Sequence, residues 1–269
     1  LLNKQAQILA LHGFTGCGED FAECSPLCGA ADAWSCPNLP GHGPLPSLDC
    51  TPEATVELID QHAAVHESSR TLQSDKSVAS TAPKILLGYS MGARAALLHA
   101  IANLTHWDAL ILISANPGIE DESTRTERAT SDAKLAQRIR NEGVPTFLEY
   151  WQQTPMIRSQ QQIRADWQTA MQHNRLKHTA EGLATSLEQF GPAHCPNLWP
   201  QLNQLTCPVL LVTGANDEKY CTIAKRMEAK LPQAQWVSIP EVGHMPHLEA
   251  PEATAAVIRD FIRSLLNIR

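Results

Sequence analysis

Ile85-Leu86-Leu87-Gly88-Tyr89-Ser90-Met91-Gly92-Ala93-Arg94-Ala95-Ala96-Leu97-Leu98 passes from an apolar, strand-type run to a run of strong helix formers. Ser90 stands at the junction, with a glycine two residues to either side. A serine so placed has the form of a nucleophile elbow. The turn must be tight enough to force the serine into a strained backbone conformation, and the glycines leave room for it. The hydroxyl would then stand at the carboxyl end of the strand. The first N–H groups of the helix would face whatever it attacks, so developing negative charge meets the positive helix end.

Working outward, Gln7-Ile8-Leu9-Ala10-Leu11 is a short buried-type strand running into His12-Gly13-Phe14-Thr15-Gly16. A glycine-containing loop at that place can supply an oxyanion donor, and the candidates are the backbone N–H groups of Phe14 and Met91. Residues 34–39 read as a second strand, followed by the sharp loop Pro40-Gly41-His42-Gly43-Pro44, in which His42 reads as a loop residue. Residues 52–66 open a helix with proline in its first turn. Glu67 to Pro83, rich in Ser, Thr and charge, reads as an exposed connection.

Beyond the elbow, Ala109-Leu110-Ile111-Leu112-Ile113 is another central strand, closed by Asn116-Pro117-Gly118. From Ile119 to about Asn203 the sequence turns helical and polar, without β-branched runs. The alternation of strand and helix resumes at Pro208-Val209-Leu210-Leu211-Val212. The expected architecture is α/β: a mostly parallel sheet flanked by helices, made from 1–118 and 204–269, with 119–203 inserted as a helical cap. Such a cap would cover the carboxyl ends of the strands, where open α/β sheets bind ligands.

Two more strand ends carry chemistry. The strand at 208–212 leads to Asp217, and Gln235-Trp236-Val237-Ser238-Ile239 leads to Gly243-His244. Serine needs a base to react near neutral pH, imidazole titrates in the right range, and a carboxylate holds the ring in the useful tautomer. The order Ser90, Asp217, His244 is that of one serine-triad fold and not of the others. His247 is the rival to His244, which its place directly after the strand favours. The last helix carries Val257, Ile258, Phe261, Ile262 and Leu265 at helical spacing, a packing stripe.

Composition narrows the alternatives. With 269 residues, 43% of them hydrophobic, the chain can bury one large core and carry an insertion. A formal net charge of −7 argues against nucleic acid or an anionic membrane as the main partner. No apolar run approaches the roughly 18 residues of a membrane span. The eight cysteines show no C-x-x-C spacing and read as mostly reduced thiols of a cytoplasmic protein.

These motifs together resemble the α/β-hydrolase superfamily and, within it, the 2-succinyl-6-hydroxy-2,4-cyclohexadiene-1-carboxylate synthases of menaquinone and phylloquinone biosynthesis. The resemblance is carried by Leu11-His12-Gly13-Phe14-Thr15-Gly16, Leu39-Pro40-Gly41-His42-Gly43, Gly88 to Arg94, Asn116-Pro117-Gly118-Ile119, Glu127-Arg128 with Ser131-Asp132, Tyr150 to Pro155, and Gly214 to Lys219. It implies an α/β-hydrolase fold and a lyase that eliminates pyruvate, with a small polycarboxylate as substrate and no metal or organic cofactor. It also implies substrate contacts from His12, Tyr89, Arg94, Arg128, Trp151 and Arg175, with Arg125 an alternative to Arg128 and Tyr150 to Trp151. Guanidinium groups suit carboxylates because they bind them through two parallel hydrogen bonds; the competing reading of each arginine is a solvated helix face. A serine esterase or carbon–carbon bond hydrolase, working through a covalent Ser90 intermediate, uses the same triad.

Overall fold

The computed structural model describes residues 6–29, 33–73 and 82–268. In chain order its elements are β1 (Gln7–Leu11), α1 (Cys24–Leu27), β2 (Trp34–Ser35), α2 (Pro52–Gln73), β3 (Lys84–Tyr89), α3 (Met91–Ala102), β4 (Ala109–Ile113) and α4 (Glu122–Trp151). There follow α5 (Ala165–Arg175), α6 (Ala180–Phe190), β5 (Val209–Gly214), α7 (Glu218–Glu228), β6 (Ala234–Ile239), α8 (Pro246–Glu249) and α9 (Pro251–Ile268). The strands form one parallel sheet in the order β2-β1-β3-β4-β5-β6.

The central strands are mostly apolar because both of their faces are covered. Leu86, Leu110, Leu112 and Leu211 face one core cluster, shared with Leu97 of α3, Ile59 of α2 and Met227 of α7. Ile85, Leu87, Ile111 and Val212 face the other, closed by Ile258, Phe261 and Leu265 of α9. The α9 stripe is therefore packing. Among the described residues no helix is long and apolar enough to cross a membrane. All eight cysteines are free.

Topology places the site. From β1 the chain pairs outward to β2 on one side, and β3 pairs on the other side. That reversal opens a crevice at the carboxyl ends of β1 and β3, where the Gly13 loop and Ser90 lie. Contact there is backbone to backbone. A Cβ on Gly92 would stand 2.1 Å from the Leu11 carbonyl oxygen, and one on Gly88 would stand 2.3 Å from the Gly92 oxygen.

Between β4 and β5 every regular element is helical, and the upper part has its own core: Ala136, Ile139, Phe147 and Leu148 of α4 against Leu183, Ala184 and Leu187 of α6. α4 bends at Gly143, whose φ is 76°, two residues before Pro145; proline can neither donate to nor fit within an unbroken helix there. Three details depart from the sequence expectations. β2 stops at Ser35, as an edge strand losing its ladder before Pro37. Glu67–Gln73 continues α2 rather than forming a connection, since no glycine or proline interrupts it; 74–81 lie outside the described residues. Cys195, Leu198, Trp199 and Leu202 pack in the sheet-face cluster with α3, so the chain rejoins the core before residue 203.

Gly92→Ala is expected to lower the unfolding free energy by about 3 kcal/mol, measured by urea denaturation. A variant as stable as the parent would mean that β1 and α3 do not meet at this glycine.

Candidate active site

Ser90 has φ 52° and ψ −107°, in the region that L residues avoid. Its N–H donates to the Ile113 carbonyl across 2.9 Å, tying the turn to β4. The hydroxyl oxygen lies 2.9 Å from His244 Nε2, and His244 Nδ1 lies 2.6 Å from Asp217 Oδ2. An ionised Asp217 accepts from Nδ1–H, which leaves Nε2 as the acceptor of the serine proton. Asp217 is itself held, because its Oδ1 accepts from the Tyr220 N–H at the start of α7. The Tyr220 ring packs against the imidazole, its centroid 4.5 Å away and its plane inclined by 60°. Ser114, at the end of β4, donates its hydroxyl proton to the His244 carbonyl across 2.9 Å. The three strand-end residues are thus brought together.

The Gly13 loop presses against this turn. A Cβ on Gly13 would stand 2.6 Å from the Tyr89 ring and 3.5 Å from the Ser90 Cβ. Among the described residues, neither the Phe14 nor the Met91 N–H is spent on a backbone or side-chain acceptor. Met91 follows Ser90 in the chain, and Phe14 lines the same cavity as Ser90. His12 is not brought into the cavity. It is fully buried, its Nδ1 donates to the Gly13 carbonyl (2.8 Å) and its Nε2 accepts from the Leu39 N–H (2.9 Å). Both ring nitrogens are committed to loop backbone, and burial pushes its pKa down to about 4. His42, bonded to Pro40, is likewise a loop residue. His247 is fully buried against Phe21 and Tyr89, away from Ser90.

Above Ser90 and His244 is a cavity of about 510 Å³ between sheet and cap. Its wall includes Tyr89, Arg94, Arg128, Trp151 and Arg175, each anticipated from sequence. Arg94, one helical turn past Ser90, is buried; its Nη2 donates to the Phe190 carbonyl at 3.0 Å and its Nε has no acceptor among the described residues. Arg175 is 3% exposed, its Nη2 donates to Gln160 Oε1 at 2.9 Å, and its Nε and Nη1 have no acceptor among the described residues. Burial lowers its pKa, against the attraction of Asp20. Arg128 is half-exposed and donates to Asp132 Oδ1 at 2.8 Å. Arg125, the alternative, spends its guanidinium on the Ala193 and Cys195 carbonyls and does not line the cavity. Tyr150 and Trp151 both line it. Tyr150 is exposed beneath Arg138, whereas Trp151 packs on Phe14 with its buried N–H unpaired.

Several wall residues went unassigned from sequence: Asp20, Asp132, Gln160, Lys219 and Tyr220. Burial raises the Asp132 carboxyl, and pushes Asp20 up to about 6 with Arg175 opposing. Charge gives the cavity its character. Arg94, Arg128, Arg175 and Lys219 face only two carboxylates, a formal balance of +2 inside a chain of −7.

The alpha/beta hydrolase family model matches residues 8–257. The chain is 30% identical over 266 residues to the 2-succinyl-6-hydroxy-2,4-cyclohexadiene-1-carboxylate synthase of Photorhabdus laumondii, covering 98% of this chain and 88% of that one. A Bacillus subtilis relative, which carries the same name provisionally, is 35% identical over 180 residues, 67% of this chain and 66% of its own. Among solved structures, MenH from S. aureus superposes with a TM-score of 0.85 at 28% identity, over 98% of this chain and 96% of that one.

Burial without a partner pushes the His247 pKa down to about 3. Between pH 6.5 and about 3 the unfolded chain therefore binds a proton there that the folded chain refuses. The stability from this group is full above pH 6.5 and falls as pH drops through the window. His247→Phe should remove about 1.4 kcal/mol per pH unit from the slope of unfolding free energy between about pH 5.5 and 4, measured by urea titrations at several pH values. An unchanged slope would contradict a neutral, buried His247.

Proposed function

This chain belongs to the alpha/beta hydrolase family and, within it, to the 2-succinyl-6-hydroxy-2,4-cyclohexadiene-1-carboxylate synthases, and from that membership we propose that it is the lyase that eliminates pyruvate from 2-succinyl-5-enolpyruvyl-6-hydroxy-3-cyclohexene-1-carboxylate. The product would be 2-succinyl-6-hydroxy-2,4-cyclohexadiene-1-carboxylate, an intermediate of menaquinone or phylloquinone biosynthesis. The observation that carries the reading is the cationic excess of the cavity in an acidic chain. A buried guanidinium without an acceptor is costly, and a bound carboxylate relieves that cost. The substrate brings three carboxylates. A neutral ester would leave the arginines as they are.

The reaction follows from the placement of Ser90 and His244. His244 Nε2 draws the serine proton, and Ser90 Oγ acts as the base that takes the ring proton at C2, next to the succinyl carbonyl. The C2–H electrons become the C2–C3 double bond, the old C3–C4 double bond moves to C4–C5, and the C5–O bond breaks. The enolate of pyruvate leaves with that electron pair and takes up a proton, for which the imidazolium is the nearest acid. Charge developing on the succinyl oxygen falls to the Phe14 and Met91 N–H groups. Asp217 stabilises the imidazolium. Arg94, Arg128 and Arg175, with the Trp151 N–H, would hold the carboxylates so that C2 faces the serine. No metal or organic cofactor enters these steps.

The test is pyruvate release by the purified protein given the cyclohexene tricarboxylate, run beside a neutral nitrophenyl ester. The parent is expected to release pyruvate, and Ser90→Ala to slow that release by about 10²- to 10⁴-fold. Hydrolysis of the ester with no pyruvate from the tricarboxylate would replace this reading with an esterase. Arg175→Ala is expected to lower kcat/KM for the tricarboxylate about 100-fold while ester turnover falls no more than about 5-fold. Equal losses on both substrates would remove Arg175 from carboxylate binding.

A further inference from the structure

His244 lies on the loop between β6 and α8, and one carboxylate holds that loop from both sides. The Gly243 N–H donates to Glu249 Oε2 at 2.6 Å, and the Met245 N–H donates to Glu249 Oε1 at 2.9 Å. The two amides that flank His244 thus converge on a single side chain. Charge-assisted bonds of this kind are strong, and two to one carboxylate fix direction as well as distance. Glu249 does not line the cavity, and no step of the elimination uses it.

The cap reaches the same carboxylate. Ser159 lies in the 3-10 turn Arg158–Gln162 between α4 and α5, and its hydroxyl donates to Glu249 Oε1 at 2.9 Å. The fit is close: a Cβ on Gly243 would stand 2.3 Å from the Ser159 hydroxyl oxygen. The next residue of the turn, Gln160, is buried and accepts from Arg175. One five-residue turn therefore touches the cationic wall with one side chain and the histidine loop with the neighbouring one.

We propose that Glu249 is the positioning residue of His244, and that Ser159 locks it to the cap. The imidazole is aligned with Ser90 when the 158–162 turn is seated on the loop. Seating of that turn and placement of Arg175 go together, because Ser159 and Gln160 are adjacent. A carboxylate drawn onto Arg175 would favour the seated turn, and so the aligned histidine. This rests on Ser90 and His244 as the reacting pair and is independent of which substrate they turn over.

The experiment measures the rate at which phenylmethylsulfonyl fluoride labels Ser90, together with the melting temperature, in the parent, Ser159→Ala, Glu249→Gln and the double variant. The reagent is small and uncharged, so it reports the serine–histidine pair and not carboxylate binding. Ser159→Ala is expected to slow labelling about 5-fold and Glu249→Gln about 30-fold, the first with its melting temperature within about 2 °C of the parent. The double variant should be no slower than Glu249→Gln alone, because the serine acts through the glutamate. Parent-like labelling of Ser159→Ala, or multiplying effects in the double variant, would overturn the proposal. So would a Glu249→Gln that melts lower but labels at the parent rate. If Glu249→Gln does not fold, Ser159→Ala decides alone. A parent that labels as expected but releases no pyruvate would fail the lyase reading and leave this one standing; a parent that releases pyruvate but does not label at all would end this one and leave the lyase reading standing.

Discussion

The strained backbone of Ser90 is the constraint on which the rest depends. A non-glycine residue at φ 52° costs about 1–3 kcal/mol and persists only where its surroundings over-determine it. Here they do. The serine N–H is tied to β4, Gly92 has no room for a methyl group against the end of β1, and Gly88 has none against the start of α3. The outlay is met by the two apolar faces of the sheet, whose central strands are buried apart from Lys84 at the start of β3. In return the hydroxyl stands at the topological switch point, within hydrogen-bond distance of His244. Ser114, a second residue of positive φ at the end of the adjacent strand, turns its hydroxyl to the histidine carbonyl. Backbone strain in this protein is concentrated where the chemistry is.

A second theme is the separation of charge. The chain is acidic as a whole, yet its cavity gathers four cations against two carboxylates. Arg94 comes from the elbow helix, while Arg128 and Arg175 come from the cap, so the cationic wall is complete only with the cap in place. Asp20 and Asp132 sit among these cations, and burial raises both carboxyls against the pull of the neighbouring arginines.

The elbow, the three strand-end residues and the order of sheet and cap could be read from sequence because each is a local pattern: a glycine spacing, an apolar run, a residue directly after it. What could not be read depends on contacts between distant segments. His12 looks like a pocket residue in a linear motif, but its ring is consumed by Gly13 and by Leu39, 27 residues on. Arg125 and Arg128 lie on one helix, and only the path of 193–195 assigns Arg125 to a backbone tie. The Cys195 to Leu205 stretch has its apolar residues three and four apart, which marks a helical turn without saying whether it belongs to cap or core. Asp20 had no signal beyond its type. Tyr220 lies three residues past Asp217, within the first turn of the helix that aspartate caps, and that spacing could have pointed to the imidazole it covers. Glu249 lies five residues past His244, a distance only the short α8 turns into contact.

The central claim is geometric: an anionic ring substrate lies under the cap with its carboxylates on buried guanidinium groups and one ring C–H against Ser90. A crystal structure of the Ser90→Ala variant with the cyclohexene tricarboxylate bound tests this most directly. The account predicts carboxylate oxygens within hydrogen-bond distance of Arg94, Arg175 and the Trp151 N–H, the succinyl oxygen at the Phe14 and Met91 amides, and ring C2 facing the position of the missing hydroxyl. Carboxylates turned to solvent, or a ligand lodged outside the cavity, would contradict it.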